Sequence, residues 1–319
     1  MRRALAVLVV LMTTALLSSC AVPLPRGSST VEKAAVRADE VPQILDRYQQ
    51  VRAIAAKLLD PKPLSTVEAG SVLAIDSGTF EVEQRLAQDK DLPVSAPVLD
   101  EVHVPRVGAY PLWFVAVVSD KAAGVNRVQV FERASSVDPW LLVASPETLP
   151  DTELPGLRHD DGFVLAVRPD NAAGLSSSPA EAAKLYAEAL DDPGSKAGAT
   201  VADDGFITQM RDAAKANAGL DGVTFSQSWD VDDVEFVLRT DDGGALVFAT
   251  LLRRDTYEVA DGITVGWPGG SPQQAFLTGG ISSSGELRFD HQVLLYLPGG
   301  GGPPRALGQY GGVVSADGS

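Results

Sequence analysis

A single cysteine, Cys20, closes an apolar leader, and it limits how everything after it can be held together. Arg2 and Arg3 are followed by an apolar run from Ala4 to Leu17 and then by the small residues Ser18 and Ser19. A charged start, an apolar middle and small residues before a cut make the layout of a secretory signal peptide. The run is shorter than the roughly 20 residues that cross a bilayer as a helix. No second run of its kind follows, so the chain after the cut is expected to have no spanning helix. It also has no further cysteine, so its fold must stand on apolar packing without disulfides.

The composition can supply that packing. Hydrophobic residues make up 45% of the chain, well above what a disordered segment carries. The net charge is -16, and more acidic still once Arg2 and Arg3 are gone. Such a balance excludes nucleic acid as a partner, because the phosphate backbone needs a basic face. It also opposes lying flat on an anionic membrane.

Residues 1–19 are read as the signal and 20–39 as a tether, with Pro23, Pro25, Gly27, Ser28 and Ser29 and no sustained apolar period. Val41, Ile44, Leu45, Tyr48, Val51, Ala55, Leu58 and Leu59 then follow helical spacing. Asp39 is the expected cap, Pro42 fits the first turn, and Asp60-Pro61 ends the helix. A second helix is expected over Thr79–Gln88, after Asp76-Ser77-Gly78. Strands are expected at Val98–Val104, Leu112–Val118, Arg127–Arg133 and Trp140–Ala144. The same order then returns. Ser178-Pro179-Ala180-Glu181 is a capping-box start, and a further helix follows Asp203-Asp204-Gly205. Strand runs come at Val223–Ser228, Val234–Arg239, Ala245–Arg253 and Glu286–Leu297. The fold class is therefore α+β, with two tandem repeats of helices packed on a curved antiparallel sheet. Residues 40–145 form the first domain, 146–177 a linker and 178–319 the second domain.

Leu17-Ser18-Ser19-Cys20 resembles a bacterial lipoprotein signal. The resemblance implies cleavage between Ser19 and Cys20, diacylglycerol on the Cys20 thiol, and acylation of the new amine. Helices followed by a curved sheet in each half resemble the nuclear transport factor two-like, cystatin-like folds. Together with Asp138-Pro139-Trp140-Leu141-Leu142-Val143-Ala144 and Gly308-Gln309-Tyr310-Gly311-Gly312, the chain resembles a group of actinobacterial surface lipoproteins. That resemblance implies a lipid-anchored protein on the extracytoplasmic face of the cell membrane. The fold class hosts enzymes, carriers and interaction modules alike, so it does not fix an activity.

The residues offer no catalytic set. His103, His159 and His291 stand far apart in sequence, without partners at metal-ligand spacing, so no metal or other cofactor is expected. Asp230-Val231-Asp232-Asp233-Val234-Glu235 lacks the glycine and final glutamate of a calcium loop and reads as a solvated hairpin turn. Gly299–Gly302 has no following helix or lysine to make a phosphate cradle. Tyr48 and Tyr186 fall at comparable places on the first helix of each half, and Trp113 and Trp229 on or beside strands. All four can be core, or they can line a small apolar pocket between helices and sheet. Three functions stay open: a non-catalytic module binding an envelope protein or polymer, a carrier of a small apolar ligand, and an enzyme of the isomerase or hydrolase kind.

Overall fold

The computed structural model describes residues 33–86, 97–121, 123–148 and 152–318. The signal, Ser19, Cys20 and the tether up to residue 32 lie outside the described residues. Four helices longer than two turns are present among the described residues: α1 (Val41–Leu58), α2 (Gly70–Leu86), α3 (Pro179–Asp191) and α4 (Gly205–Ala218). A short α5 (Pro272–Phe276) follows later in the chain. No helix among the described residues is long and apolar enough to cross a membrane.

Local chemistry explains most of these elements. At α3, Ser178 accepts from the Glu181 amide while Glu181 reaches back to the Ser178 amide, the reciprocal capping box. Asp204 caps α4 by accepting from Ile207 N at 2.9 Å. Helix α1 starts without the expected cap. Its N-cap is Glu40, and Asp39 is instead paired with the Arg37 guanidinium at 3.0 Å. Helix α2 starts nine residues before the expected Thr79. Asp76-Ser77-Gly78 resembles a helix start, yet it lies inside the helix because each end of it serves a tertiary contact. Asp76 is buried among polar partners, and Gly78 lets the backbone of a strand approach. A Cβ at Gly78 would lie 2.2 Å from the Val313 carbonyl oxygen.

The strands are β1 (Lys33–Ala34), β2 (Val98–His103), β3 (Arg106–Val107), β4 (Leu112–Asp120), β5 (Val125–Arg133), β6 (Leu141–Ala144) and β7 (Glu147–Thr148). They continue as β8 (His159–Asp160), β9 (Phe163–Val164), β10 (Val223–Arg239), β11 (Ala245–Val259), β12 (Ser284–Leu297) and β13 (Arg305–Gly318). One antiparallel sheet runs β10-β11-β12-β13-β7-β5-β4-β2, with β6 on β5. The sequence suggests a sheet for each half, but strands of both halves share this one. The bridge is β7, from the expected linker, which pairs with β13 on one side and β5 on the other.

One other expectation changes, and one element is added. The acidic run 230–235 is no turn: β10 passes straight through it, with register shifts at Val231/Asp233 and Val234/Phe236. Such bulges absorb extra residues without reversing the chain. The glycine-rich C-terminal segment, assigned no element from the sequence, forms β13, an interior strand of the sheet.

Side chains alternate between two buried faces along β4. Phe114, Ala116 and Val118 join the α1 core with Val41, Leu45 and Phe131. Trp113 and Val115 face the other way and pack with Phe236, Leu238, Leu246 and Phe248 of β10 and β11. The Trp113 and Phe236 rings are 5.2 Å apart. The two arms of the sheet therefore stack face to face, and α3 and α4 cover the far side of the second arm. Both faces of β4 are buried, which accounts for its near-continuous apolar run Leu112–Val118. The packing predicts that Gly78→Val destabilises the fold by about 1–3 kcal/mol, because the side chain must displace strand backbone. Urea denaturation measures it, with an unchanged m-value expected.

Candidate functional site

A polar cavity of about 40 Å³ opens between α1, α2, β5 and β13, with room for a few waters. Tyr48, Gln49 and Arg52 line it from α1, Asp76 from α2, Arg127 and Gln129 from β5, and Tyr310 from β13. Asp76, only 2% exposed, accepts from Arg52 Nη2 at 3.3 Å and from the Tyr310 hydroxyl. Arg127 donates to Asp120 at 2.7 Å and to Glu147 of the bridging strand at 2.7 Å. Gln292 of β12 closes the same region. Its amide donates to Ser71 Oγ at 2.7 Å and to the Val143 carbonyl at 2.9 Å, and its oxygen accepts from Ser145 N at 2.8 Å. These groups bind one another across the junction of the arms, as buried polar groups must.

Glu68 is the exception. It is 1% exposed, and neither carboxyl oxygen has a hydrogen-bond partner of good geometry. Burial, and then the charge of Asp76, push it up to about 9. At neutral pH it is a neutral acid beside Asp76. Tyr48 and Tyr310 are likewise held protonated by burial.

An open groove of about 400 Å³ adjoins this cavity, lined by Ile44, Arg47, Val67, Arg133, Pro139 and Trp140. Tyr48 forms a wall of both spaces. Its ring stands edge-on to Phe131 at 5.9 Å.

Of the four aromatic residues singled out in the sequence, Tyr48 alone lines this cavity. Tyr186 is fully buried in the α3–α4 core and donates to Asp204 Oδ2 at 2.7 Å. Trp113 packs between the arms. Trp229 donates to Gln227 Oε1 at 2.8 Å and neighbours His291, their rings 5.1 Å apart. Phe206 and Phe289 complete the surroundings of His291, and Arg253 lies over the Phe289 ring at 4.1 Å while pairing with Asp255. Both His291 nitrogens are without partners. Burial, and then the charge of Arg253, lower it to about 3. His103 and His159, distant in sequence, have rings 5.7 Å apart. Among the described residues no three His, Cys, Asp or Glu side chains are arranged to hold a metal ion.

Sequence reasoning did not find Arg52, Glu68, Asp76, Arg127 or Tyr310 as a group. Arg52 is one helical turn from Tyr48, a usable signal. Asp76 is masked by its likeness to a cap, and Tyr310 by flanking glycines.

Comparison with known proteins places the chain. The sequence model of a family described as a domain of unknown function, DUF8094, matches residues 32–318. The chain belongs to this family. An uncharacterised lipoprotein of Streptomyces avermitilis is 29% identical over 262 residues, covering 78% of this chain and 76% of the relative. An uncharacterised lipoprotein of Streptomyces coelicolor is 28% identical over 305 residues, covering 92% and 88%. No solved structure matches. The family match spans both arms of the sheet, so the cavity at their junction lies wholly inside the family's own segment.

Two pH dependences follow. Glu68 has a folded pKa raised from 4.5 to about 9, so it costs stability as pH rises from 4.5 toward 9. Glu68→Gln is expected to flatten that limb and to stabilise by up to about 3 kcal/mol at pH 7. His291 has a folded pKa depressed from 6.5 to about 3, so its contribution is full above 6.5 and is lost as pH falls toward 3. That loss is about 2 kcal/mol at pH 5, and His291→Leu should remove it. Denaturant midpoints from pH 4 to 9 read both.

Proposed function

We propose that the protein is a lipid-anchored, extracytoplasmic binding module, held to the membrane through Cys20 and engaging a cell-envelope protein or polymer through its α1 face. The observation that carries the binding role is the meeting of groove and cavity at Tyr48. Together they offer aromatic surface at Trp140 and Tyr48 beside the guanidinium groups of Arg47, Arg52 and Arg133, on a chain that is otherwise acidic. Aromatic and arginine side chains are the types that dominate recognition surfaces. The anchor is supported by the signal layout ending at Cys20 and by relatives that bear the name lipoprotein.

The charged lining favours a polar contact over carriage of an apolar ligand between helices and sheet. In the second half, Tyr186, Phe206, Ile207 and Met210 fill the corresponding space. An enzymatic reading has one observation in its favour, two neighbouring buried carboxyls, Glu68 and Asp76, of which Glu68 has its pKa raised by burial. Glu68 does not line the cavity, however, and Asp76 is occupied by Arg52 and Tyr310. Neither is free to exchange a proton with a bound molecule.

Cys20→Ala is expected to move the protein from the membrane fraction to the soluble fraction, and retention of that variant on membranes would contradict the anchor. In cells, a photocrosslinker at Gln43, in the groove, should yield a discrete adduct that Trp140→Ala abolishes. The same probe at Leu220, exposed elsewhere, should yield none. Equal labelling from both positions would contradict the α1 face as the binding surface.

A further inference from the structure

The chain enters the fold at one end of the β4–β5 pair. Lys33 of β1 is paired with Val107 of β3, and Ala34 with Arg106. The pairing is antiparallel, so the chain followed back from Ala34 to Lys33 heads the way β3 runs on from Val107 to Gly108. Leu112, the first residue of β4, pairs with Arg133, the last of β5. The segments 108–111 and 134–138 therefore leave the sheet side by side, at the end from which the chain leads back to Cys20. Thirteen residue steps separate Cys20 from Lys33. A chain of that length spans at most about 45 Å, so a bilayer holding lipid on Cys20 is never farther than that from this end.

The same end is uncharged where it is most exposed. Gly108, Ala109, Tyr110 and Pro111 are all exposed, and none carries a charge. Val137, at 89%, is the most exposed large hydrophobic residue among the described residues. It is held out by a built turn. Asp138 N donates to the Ser135 carbonyl at 3.3 Å, which closes a four-residue turn with Val137 at its third position. Arg133 braces that turn, with Nε donating to the Ser135 carbonyl at 3.1 Å and to the Asp138 carbonyl at 2.9 Å. Asp138 is the one carboxylate in the two segments, and it accepts from Ser135 Oγ. A lone exposed valine is ordinary on a protein surface. Here it stands on a braced turn, beside an exposed tyrosine, where the chain from Cys20 enters. Tyrosine is a residue type that settles at the membrane–water interface. Lys33, Arg106 and Arg133 set basic groups beside Asp138 and Asp161 here, against the acidic excess of the chain as a whole.

We propose that this end is a membrane-contacting edge, with Tyr110 and Val137 entering the headgroup region of the bilayer that holds the Cys20 lipid. The inference rests on the anchor proposed above and adds an orientation to it. An anchor alone leaves the body free to turn, whereas a second, apolar contact fixes which end meets the membrane. Arg133 and Asp138 also border the α1 groove, so the contact sets that groove beside the bilayer surface.

The acylated full chain, reconstituted in phosphatidylcholine vesicles, tests the edge. Acylation blocks the Cys20 thiol, the only one in the chain, so an added cysteine can be labelled alone with an environment-sensitive fluorophore. A label at Ala109→Cys should emit at shorter wavelength than one at Leu58→Cys or Leu220→Cys, and nitroxide-bearing lipid should quench it and neither of the others. Leu58, with Ile54, is the rival exposed apolar pair on α1, and Leu220 is exposed on the second arm's side. Adding Tyr110→Ser and Val137→Ser, both at exposed positions, should return the Ala109 label to water-like emission while the chain still floats with the vesicles. A chain that floats while the Ala109 label stays in water, equal quenching at Leu58, or quenching that survives the two serine substitutions would each overturn the edge alone. A chain that does not float with the vesicles would overturn the anchor at Cys20, and the edge with it.

Discussion

The pairing of a two-residue strand, Glu147–Thr148, holds the rest of the molecule in register. It joins β13 to β5 and so makes one hydrogen-bonded sheet from strands that are distant in sequence. The junction is close. A Cβ at Gly308 would lie 2.4 Å from the Glu147 carbonyl oxygen, so only glycine allows the strands to meet there. Once joined, the arms can turn their inner faces toward each other, and Trp113 meets Phe236. Helices then need cover only the outer faces. The polar groups gathered at the junction follow from the same geometry. Arg127 binds Glu147 of the bridging strand, and Gln292 satisfies three polar groups contributed by the other arm or its helix. Removing one member of such a network leaves the others buried without partners, so the network also specifies this arrangement of strands over alternatives.

Local signals in the sequence carried far, and their limits have physical causes. Helices α1 and α3 are legible because apolar spacing and start residues agree, as at Ser178 and Glu181. Strands β4, β5 and β11 are legible from apolar and β-branched runs. Helix α2 is only half legible, since Gly78 reads as a breaker when viewed locally and as a contact when viewed against Val313. The acidic run in β10 reads as a turn because charged residues usually sit in solvent, but bulges let a strand carry them. Strand β13 escapes because glycine disfavours strands on its own and is selected here by close approach. For the site, aromatic residues were visible and their assignments were not. Whether Tyr48 lines a cavity while Tyr186 packs in a core depends on long-range pairing that no local window contains. Glu68, Asp76 and Tyr310 are separated by hundreds of residues in part, and only the joined sheet brings them together.

The junction cavity and a second one, between the arms, differ in kind because the two faces of the first arm differ in what covers them. On the α1 side, helices bring charged side chains to the edge of the sheet, and the space is small and polar. Between the arms, sheet faces sheet, and the space is larger and lined mainly by valine and leucine, with Glu101 and His103 at one wall. A single sheet thus presents two chemically distinct environments within a few strands of each other. The buried ionisable groups divide in the same way. Glu68 disfavours alkaline conditions and His291 acidic ones, so the fold carries opposing pH dependences in its two halves.

The position of β13 has a consequence for how the chain is made. All of its sheet partners, β7 and β12, and the helix α2 that packs on it precede it in sequence. Until this segment is delivered, the earlier strands lack the hydrogen-bonded link between the two arms. Closure is then a single non-local event of the kind that slows folding and leaves unpaired edges open to aggregation. The sheet of such a chain therefore closes only when a strand more than two hundred residues away from its helical partner α2 is in place.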